Sequence, residues 1–132
     1  MIQEYYIFVV LRYSRMFNSD NVIIKLTFGF ALKIIDYCEL LDEKKKWKIS
    51  GQLLRSGTSI GANTNEAQNG ESRVDFIHKF KIAAKEANET EYWLHLCQMS
   101  KSFPDCKELI EELTHIQKII NQIITTSKAK LA

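Results

Sequence analysis

A single proline, Pro104, interrupts the 132 residues, and from Ser19 onward apolar residues recur at three- and four-residue intervals almost without a break. Proline is the residue that a helix interior tolerates least, and that recurrence is the period of a helix face. Long helices are therefore permitted, and no alternating strand pattern competes with them after residue 19. The length suits one domain with a core of its own.

Ser19 or Asp20 stands where it can cap a first helix. Ile24, Phe28, Ala31, Ile35 and Cys38 lie on one stripe of that helix, and Ile23, Thr27, Phe30, Ile34, Tyr37 and Leu41 lie on the next. The two stripes make a face wider than one packing seam needs. One side is expected in the core and another against a neighbouring chain. Residues 42–48 read as a charged turn. A second helix follows to Ala67, with Leu53, Gly57, Ile60, Gly61 and Thr64 inward. Gly57 and Gly61, one turn apart, each cost a helix about 1 kcal/mol relative to alanine. They suit either a bulky neighbour, the simpler case, or a backbone in close approach.

Residues 68–71 form a hinge. Ser72, with Asp75 three residues later, resembles a capping box and opens a third helix. Its seam is Phe76, Phe80, Ala83, Ala87, Thr90, Leu94 and Cys97, and its small middle, Ala83 and Ala87, is matched to the glycine face of the second helix. This helix is expected to end near Ser102. Pro104 suits the first turn of a fourth helix, where Asp105 and Glu108 favour the positive end. Cys106, Leu109, Leu113, Ile116, Ile120 and Ile123 make its seam. The expected fold is all-α, an antiparallel up-down-up-down four-helix bundle over residues 19–126, with residues 127–132 frayed.

Residues 1–18 stand apart as an extension. Tyr5 to Leu11 is an apolar run of seven residues, too short to cross a bilayer. No basic segment precedes it and no small-residue cleavage site follows, so it is a poor signal peptide. Its β-branched and aromatic content favours an extended segment. A translation start at Met16 is the alternative to a start at Met1.

The formal charge of +2 is close to balance and gives no evident global pull towards nucleic acid or membrane, so any such attraction would have to be local. Cys38, Cys97 and Cys106 are odd in number and lack paired metal spacing. They read as free thiols in a reducing cytoplasm.

The run Arg55-Ser56-Gly57-Thr58-Ser59-Ile60-Gly61-Ala62-Asn63, then Glu66-Ala67, then Ser72-Arg73-Val74-Asp75-Phe76, resembles the signature of the four helix bundle proteins, also called 23S rRNA-intervening sequence proteins. Some members are encoded in insertions within bacterial large-subunit rRNA genes. Ala87-Asn88-Glu89-Thr90-Glu91-Tyr92-Trp93 is similar to the family's third helix. The likeness covers about residues 20–125. Two departures stand out: the usual Glu-Gly is Glu66-Ala67, and a basic residue common in the hinge is Gly70. The resemblance implies a compact helical bundle that forms ring-like homo-oligomers, often pentamers, with a domain that begins near Met16. A related protein, the accessory variability determinant of diversity-generating retroelements, is a basic pentamer that works with a reverse transcriptase and its RNA. The resemblance implies no enzymatic activity, and a fold does not fix a function.

Glu112 and His115 have the Glu-x-x-His spacing of half a di-metal site, whereas Glu91 and His95 do not. No metal and no cofactor is expected. His78, His95 and His115 are dispersed, without a nucleophile arrangement. Glu86, Glu89 and Glu91 point in different helical directions. Asn63, Glu66, Asn88 and Glu89 read as polar locks between helices two and three, with Glu89 or Asn88 bonding near Arg55 or Asn63, because a buried carboxylate needs a partner.

Lys44, Lys45, Lys46, Lys48 and Arg55 place five positive charges in twelve residues without an acid among them. Lys44 to Lys46 suit the negative end of helix one, but Lys48 near the positive start of helix two is mildly unfavourable there. Helix stability thus leaves part of the cluster unexplained. Trp47 adds an aromatic surface for stacking. The alternative is an ordinary solvated turn, with Asp42 and Glu43 adjacent.

The leading expectation is a non-enzymatic, cytoplasmic, self-associating scaffold or accessory protein that binds RNA or DNA through this turn. A protein-interaction module without a nucleic-acid role is the alternative, and a metal-dependent or nuclease enzyme the remote one. Neither a membrane nor a small-molecule substrate is expected.

Overall fold

The computed structural model describes residues 2–5, 7–8 and 21–131. Four helices follow one another: α1 (Val22–Glu43), α2 (Trp47–Ala67), α3 (Arg73–Met99) and α4 (Lys107–Ala129). Residues 2–5 and 7–8 are helical too, and no strand occurs among the described residues. Tyr5, Ile7 and Phe8 therefore depart from the extended segment expected of them. A strand gains little without a partner strand, and none is described here. Met16, Ser19 and Asp20 lie outside the described residues, as do residues 9–11.

The helix ends show where local chemistry outweighs pattern. Asn21 caps α1, its side chain accepting from the Ile23 N–H at 3.2 Å. At the other end the Lys46 N–H reaches the Leu41 carbonyl at 2.9 Å and the Lys45 N–H reaches Asp42 at 2.9 Å. Lys45 has φ 63°. This is the paired bonding of a Schellman stop, with lysine in the left-handed position that glycine usually takes. Ser72 caps α3, accepting from the Asp75 N–H at 3.1 Å.

Three boundaries differ from the sequence reading. α3 stops at Met99, and Pro104 precedes α4 instead of occupying its first turn. The reason is visible in the link. The Pro104 carbonyl accepts from the Tyr37 hydroxyl at 2.7 Å. Gln98 donates to Asp105 at 2.7 Å and accepts from the Cys106 N–H at 2.7 Å. These bonds hold residues 104–106 in a non-helical course. α4 also runs to Ala129 with Ser127 buried, where fraying was expected from residue 127.

α2 packs on α1 and α3, and α4 packs on α3 and, more loosely, on α1, so the contacts close into a ring. Phe30, Ile34 and Leu41 meet Leu53 and Ile60, Phe80 and Leu94, and Leu113, Ile116 and Ile120 in a single buried cluster. The stripe Ile23, Thr27, Phe30, Ile34, Tyr37 and Leu41 is buried throughout. Of the neighbouring stripe only Ile24 and Cys38 are, and Ile35 is exposed.

Gly57 and Gly61 serve a different neighbour from the one expected. They face α1, not the Ala83–Ala87 stretch of α3. A Cβ on Gly57 would lie 2.9 Å from Ile34 Cγ2, and one on Gly61 would lie 3.3 Å from the Thr27 carbonyl oxygen. One glycine thus accommodates a bulky side chain and the other a backbone. Ala83 and Ala87 are nonetheless completely buried. Hydroxyl pairs complete the seams: Thr27 with Thr64 at 3.2 Å between α1 and α2, and Thr90 with Ser56 at 2.9 Å between α3 and α2. Buried polar atoms require such partners.

The loose α1–α4 seam leaves a cleft of about 1250 Å³, lined by Leu26, Tyr37, Leu40 and Leu109 and by Ile2 and Ile7 of the N-terminal segment. No helix among the described residues is long and apolar enough to cross a membrane.

Candidate nucleic-acid interface

The Schellman stop turns the chain sharply after α1 and projects Lys44 and Lys45 outward. α2 then begins directly at Trp47. Lys44, Lys45 and Lys48 are exposed, and Trp47 is 62% exposed. Among the described residues none of these three lysines is in an ion pair. The start of α2 has no side-chain cap and no acid in its first turn. Lys48 is therefore left at a positive helix end without a compensating carboxylate.

Lys46 differs from its neighbours. It is half-buried, its Nζ donates to Ser102 Oγ at 3.1 Å, and it stands 5.1 Å from the Phe103 ring centroid. A cation over an aromatic face is favourable at this range. The contact joins the α1–α2 turn to the α3–α4 link. Lys101, in that link, is exposed and belongs to the same end of the protein. Sequence reading missed Lys101, Ser102 and Phe103. Lys46 and Ser102 are 56 positions apart and share no local signal, and only the antiparallel order expected of the helices could have hinted at it.

Arg55 lies apart from the lysines in its bonding. It pairs with Glu86 at 3.1 Å and with Glu89. The Glu89 hydrogen bond, chief among these contacts, raises the guanidinium pKa further. Glu86 and Glu89 therefore converge on one cation, contrary to the divergent directions read from sequence, because residues three apart share a helix face. Glu89 also accepts from the Trp93 indole at 3.1 Å. That bond, followed by Arg55, lowers its pKa.

The remaining proposed locks divide. Glu66 accepts from Lys79 of α3 at 2.8 Å. Asn88 accepts from Gln117 of α4 at 3.1 Å, so it bridges a different pair of helices from the one expected. Asn63 donates to the Ser59 carbonyl of its own helix at 2.8 Å.

Glu112 is bonded to Lys33 at 2.9 Å, and His78, His95 and His115 are exposed. No group of three or more His, Cys, Asp or Glu side chains that could hold a metal ion occurs among the described residues. Burial pushes the Cys38 and Cys106 thiols up to about 11 and raises Cys97. Such thiols are poor nucleophiles, because reactivity belongs to the thiolate.

Comparison with known proteins accords with these features. Curated proteins gave no match. Among solved structures the chain is similar to a protein of unknown function from the S23 ribosomal protein family of Bacteroides thetaiotaomicron. The identity is 44% and the TM-score 0.72, over 78% of this chain and 98% of that one. The family model described as 23S rRNA-intervening sequence protein matches residues 19–122, the span that holds α1 to α3, most of α4 and the small-residue signature of α2. The chain belongs to the 23S rRNA-intervening sequence protein family.

Proposed function

We propose that this is a non-enzymatic, self-associating accessory protein, an antiparallel up-down-up-down four-helix bundle that binds RNA or DNA at its lysine-rich end. The observation that carries the reading is the exposure of Lys44, Lys45 and Lys48 around Trp47, with no carboxylate paired to any of them among the described residues. Phosphates are bound by such free cations, and an exposed indole stacks on unpaired bases without regard to sequence. In this reading Lys46 positions the surface and Arg55 serves the α2–α3 seam.

The ring of helix contacts and the short links support the antiparallel order. Self-association is supported by apolar side chains in water: Val22, Ile35 and Leu40 on α1, and Ile2, Tyr5, Ile7 and Phe8 in the N-terminal segment. Exposed apolar side chains that gather into a patch mark association sites. A ring would also repeat the lysine surface, which strengthens phosphate binding without new contacts. Three buried free thiols suit a reducing cytoplasm.

Titration with structured RNA and duplex DNA across a salt series tests the binding. Affinity is expected to fall steeply with salt and to collapse in Lys44→Glu with Lys48→Glu. Absence of binding at low salt, or binding indifferent to that double variant, would leave the protein-interaction alternative. Light scattering tests the assembly, for which a monomer at micromolar concentration is the failing result.

A further inference from the structure

We infer that the cationic surface is a composite of two links, in which Lys101 contacts the same ligand as Lys44 and Lys48, and Lys46 is the residue that positions it. This rests on the nucleic-acid reading above and extends it to a residue remote in sequence.

The Lys46 ammonium is engaged twice within the protein, by Ser102 Oγ at 3.1 Å and by the Phe103 ring at 5.1 Å. It is half-buried, whereas Lys101 is exposed. Consecutive Cα atoms are about 3.8 Å apart, so tethering Ser102 fixes where Lys101 leaves the backbone. The link itself is held. The Ser100 N–H reaches the Leu96 carbonyl at 3.1 Å, and the Phe103 N–H reaches the Ser100 carbonyl at 3.2 Å. Tyr37 holds Pro104. Lys101 thus projects an exposed side chain from a fixed base, and among the described residues it has no ion pair.

The nearby acids do not cancel it. Asp105 keeps its charge but is turned to Gln98 at 2.7 Å and the Lys107 N–H at 3.4 Å, and it forms no ion pair with Lys101. Asp42 and Glu43, at the end of α1, are outnumbered by Lys44, Lys45, Lys46, Lys48 and Lys101. The ligand this surface fits is a single-stranded polynucleotide, whose successive phosphates meet lysines of both links while a base stacks on the exposed Trp47.

The experiment uses the full chain and a labelled oligouridylate, followed by anisotropy over a salt series. The proteins are the wild type, Lys44→Ala, Lys46→Ala, Lys101→Ala, Lys46→Ala with Lys101→Ala, and Lys128→Ala at the far end of α4. Each lost phosphate contact on a single strand is expected to reduce the log–log salt slope by about 0.7. Lys44→Ala and Lys101→Ala each show that reduction, and Lys128→Ala shows none. The Lys46–Lys101 double variant binds about as well as the weaker single variant, a coupling that a merely structural or independent electrostatic role of Lys46 would not produce.

If Lys101→Ala matches the wild type while Lys44→Ala is weakened, the composite site is wrong and the nucleic-acid reading stands. If Lys128→Ala is weakened equally, binding is diffuse and the composite site is again wrong. A wild type that does not bind the oligouridylate overturns the composite single-strand site, and the nucleic-acid reading falls with it when structured RNA and duplex DNA also fail to bind. Thermal melting of Lys101→Ala, expected to match the wild type because the side chain is exposed, excludes unfolding as the cause.

Discussion

A β-carbon on Gly57 would stand 2.9 Å from Cγ2 of Ile34, inside the distance at which two carbons can rest. Ile34 is completely buried and branched at Cβ, so it has nowhere to turn. Gly57→Ala is therefore expected to destabilise the fold by about 1–3 kcal/mol, outweighing the gain in helix propensity. Gly51, in the same helix, has nothing within 4 Å of where a Cβ would stand, and Gly51→Ala should stabilise by about 0.4–1 kcal/mol. Urea denaturation separates the two. Ile34→Ala combined with Gly57→Ala should cost less than the sum of the single changes, and strict additivity would refute the clash.

Lys45 sits at φ 63° in the Schellman stop after α1. A left-handed conformation costs a residue with a side chain about 1–2 kcal/mol, which glycine avoids. Lys45→Gly should raise the urea midpoint by an amount of about that order, with the slope unchanged. A lower midpoint would mean that the lysine side chain contributes more than its backbone costs.

The buried thiols make stability sensitive to alkali. Cys38 and Cys106 move from 9.0 to about 11 on folding. Their neutral forms are favoured in the folded chain, so this stability is complete below pH 9 and is lost as pH rises through 11. In that window the unfolded chain has released protons that the folded chain retains. Each thiol should add a fall of about 1.4 kcal/mol per pH unit. Denaturation midpoints measured across the window test this, and replacing Cys38 and Cys106 with alanine should flatten the slope.

Glu89 works in the opposite direction. The Trp93 indole and then Arg55 favour its carboxylate, lowering its pKa. That stabilisation is present above the unfolded value, about 4.3 for a glutamate, and disappears as pH falls through the folded value. Trp93→Phe removes the N–H donor and should move the Glu89 pKa upward by NMR titration. An unchanged value would dismiss the indole as the cause.

The four helices were legible because each has a seam at helical spacing, from Ile23 to Leu41 in α1 and from Leu109 to Ile120 in α4. Boundaries were less so where a side chain from elsewhere decided them. Pro104 carries the signal of a helix start, but Tyr37 and Gln98 hold the link out of the helix. The glycines announced close packing but not its direction, since spacing places residues on a face without saying which helix will cover it. The lysine turn could be read in the sequence because its members are contiguous. Lys101 could not, because its neighbourhood is created by Lys46 reaching Ser102.

That reach also has a mechanical consequence. The turn joins α1 to α2 and the link joins α3 to α4, so a ligand gripping both would act as a clamp on the two helix pairs. It would oppose their separation most where the seam is weakest, between α1 and α4. Occupancy should then slow amide hydrogen exchange along that seam, beyond the lysines of the two links, as binding to the closed form draws population away from the open one.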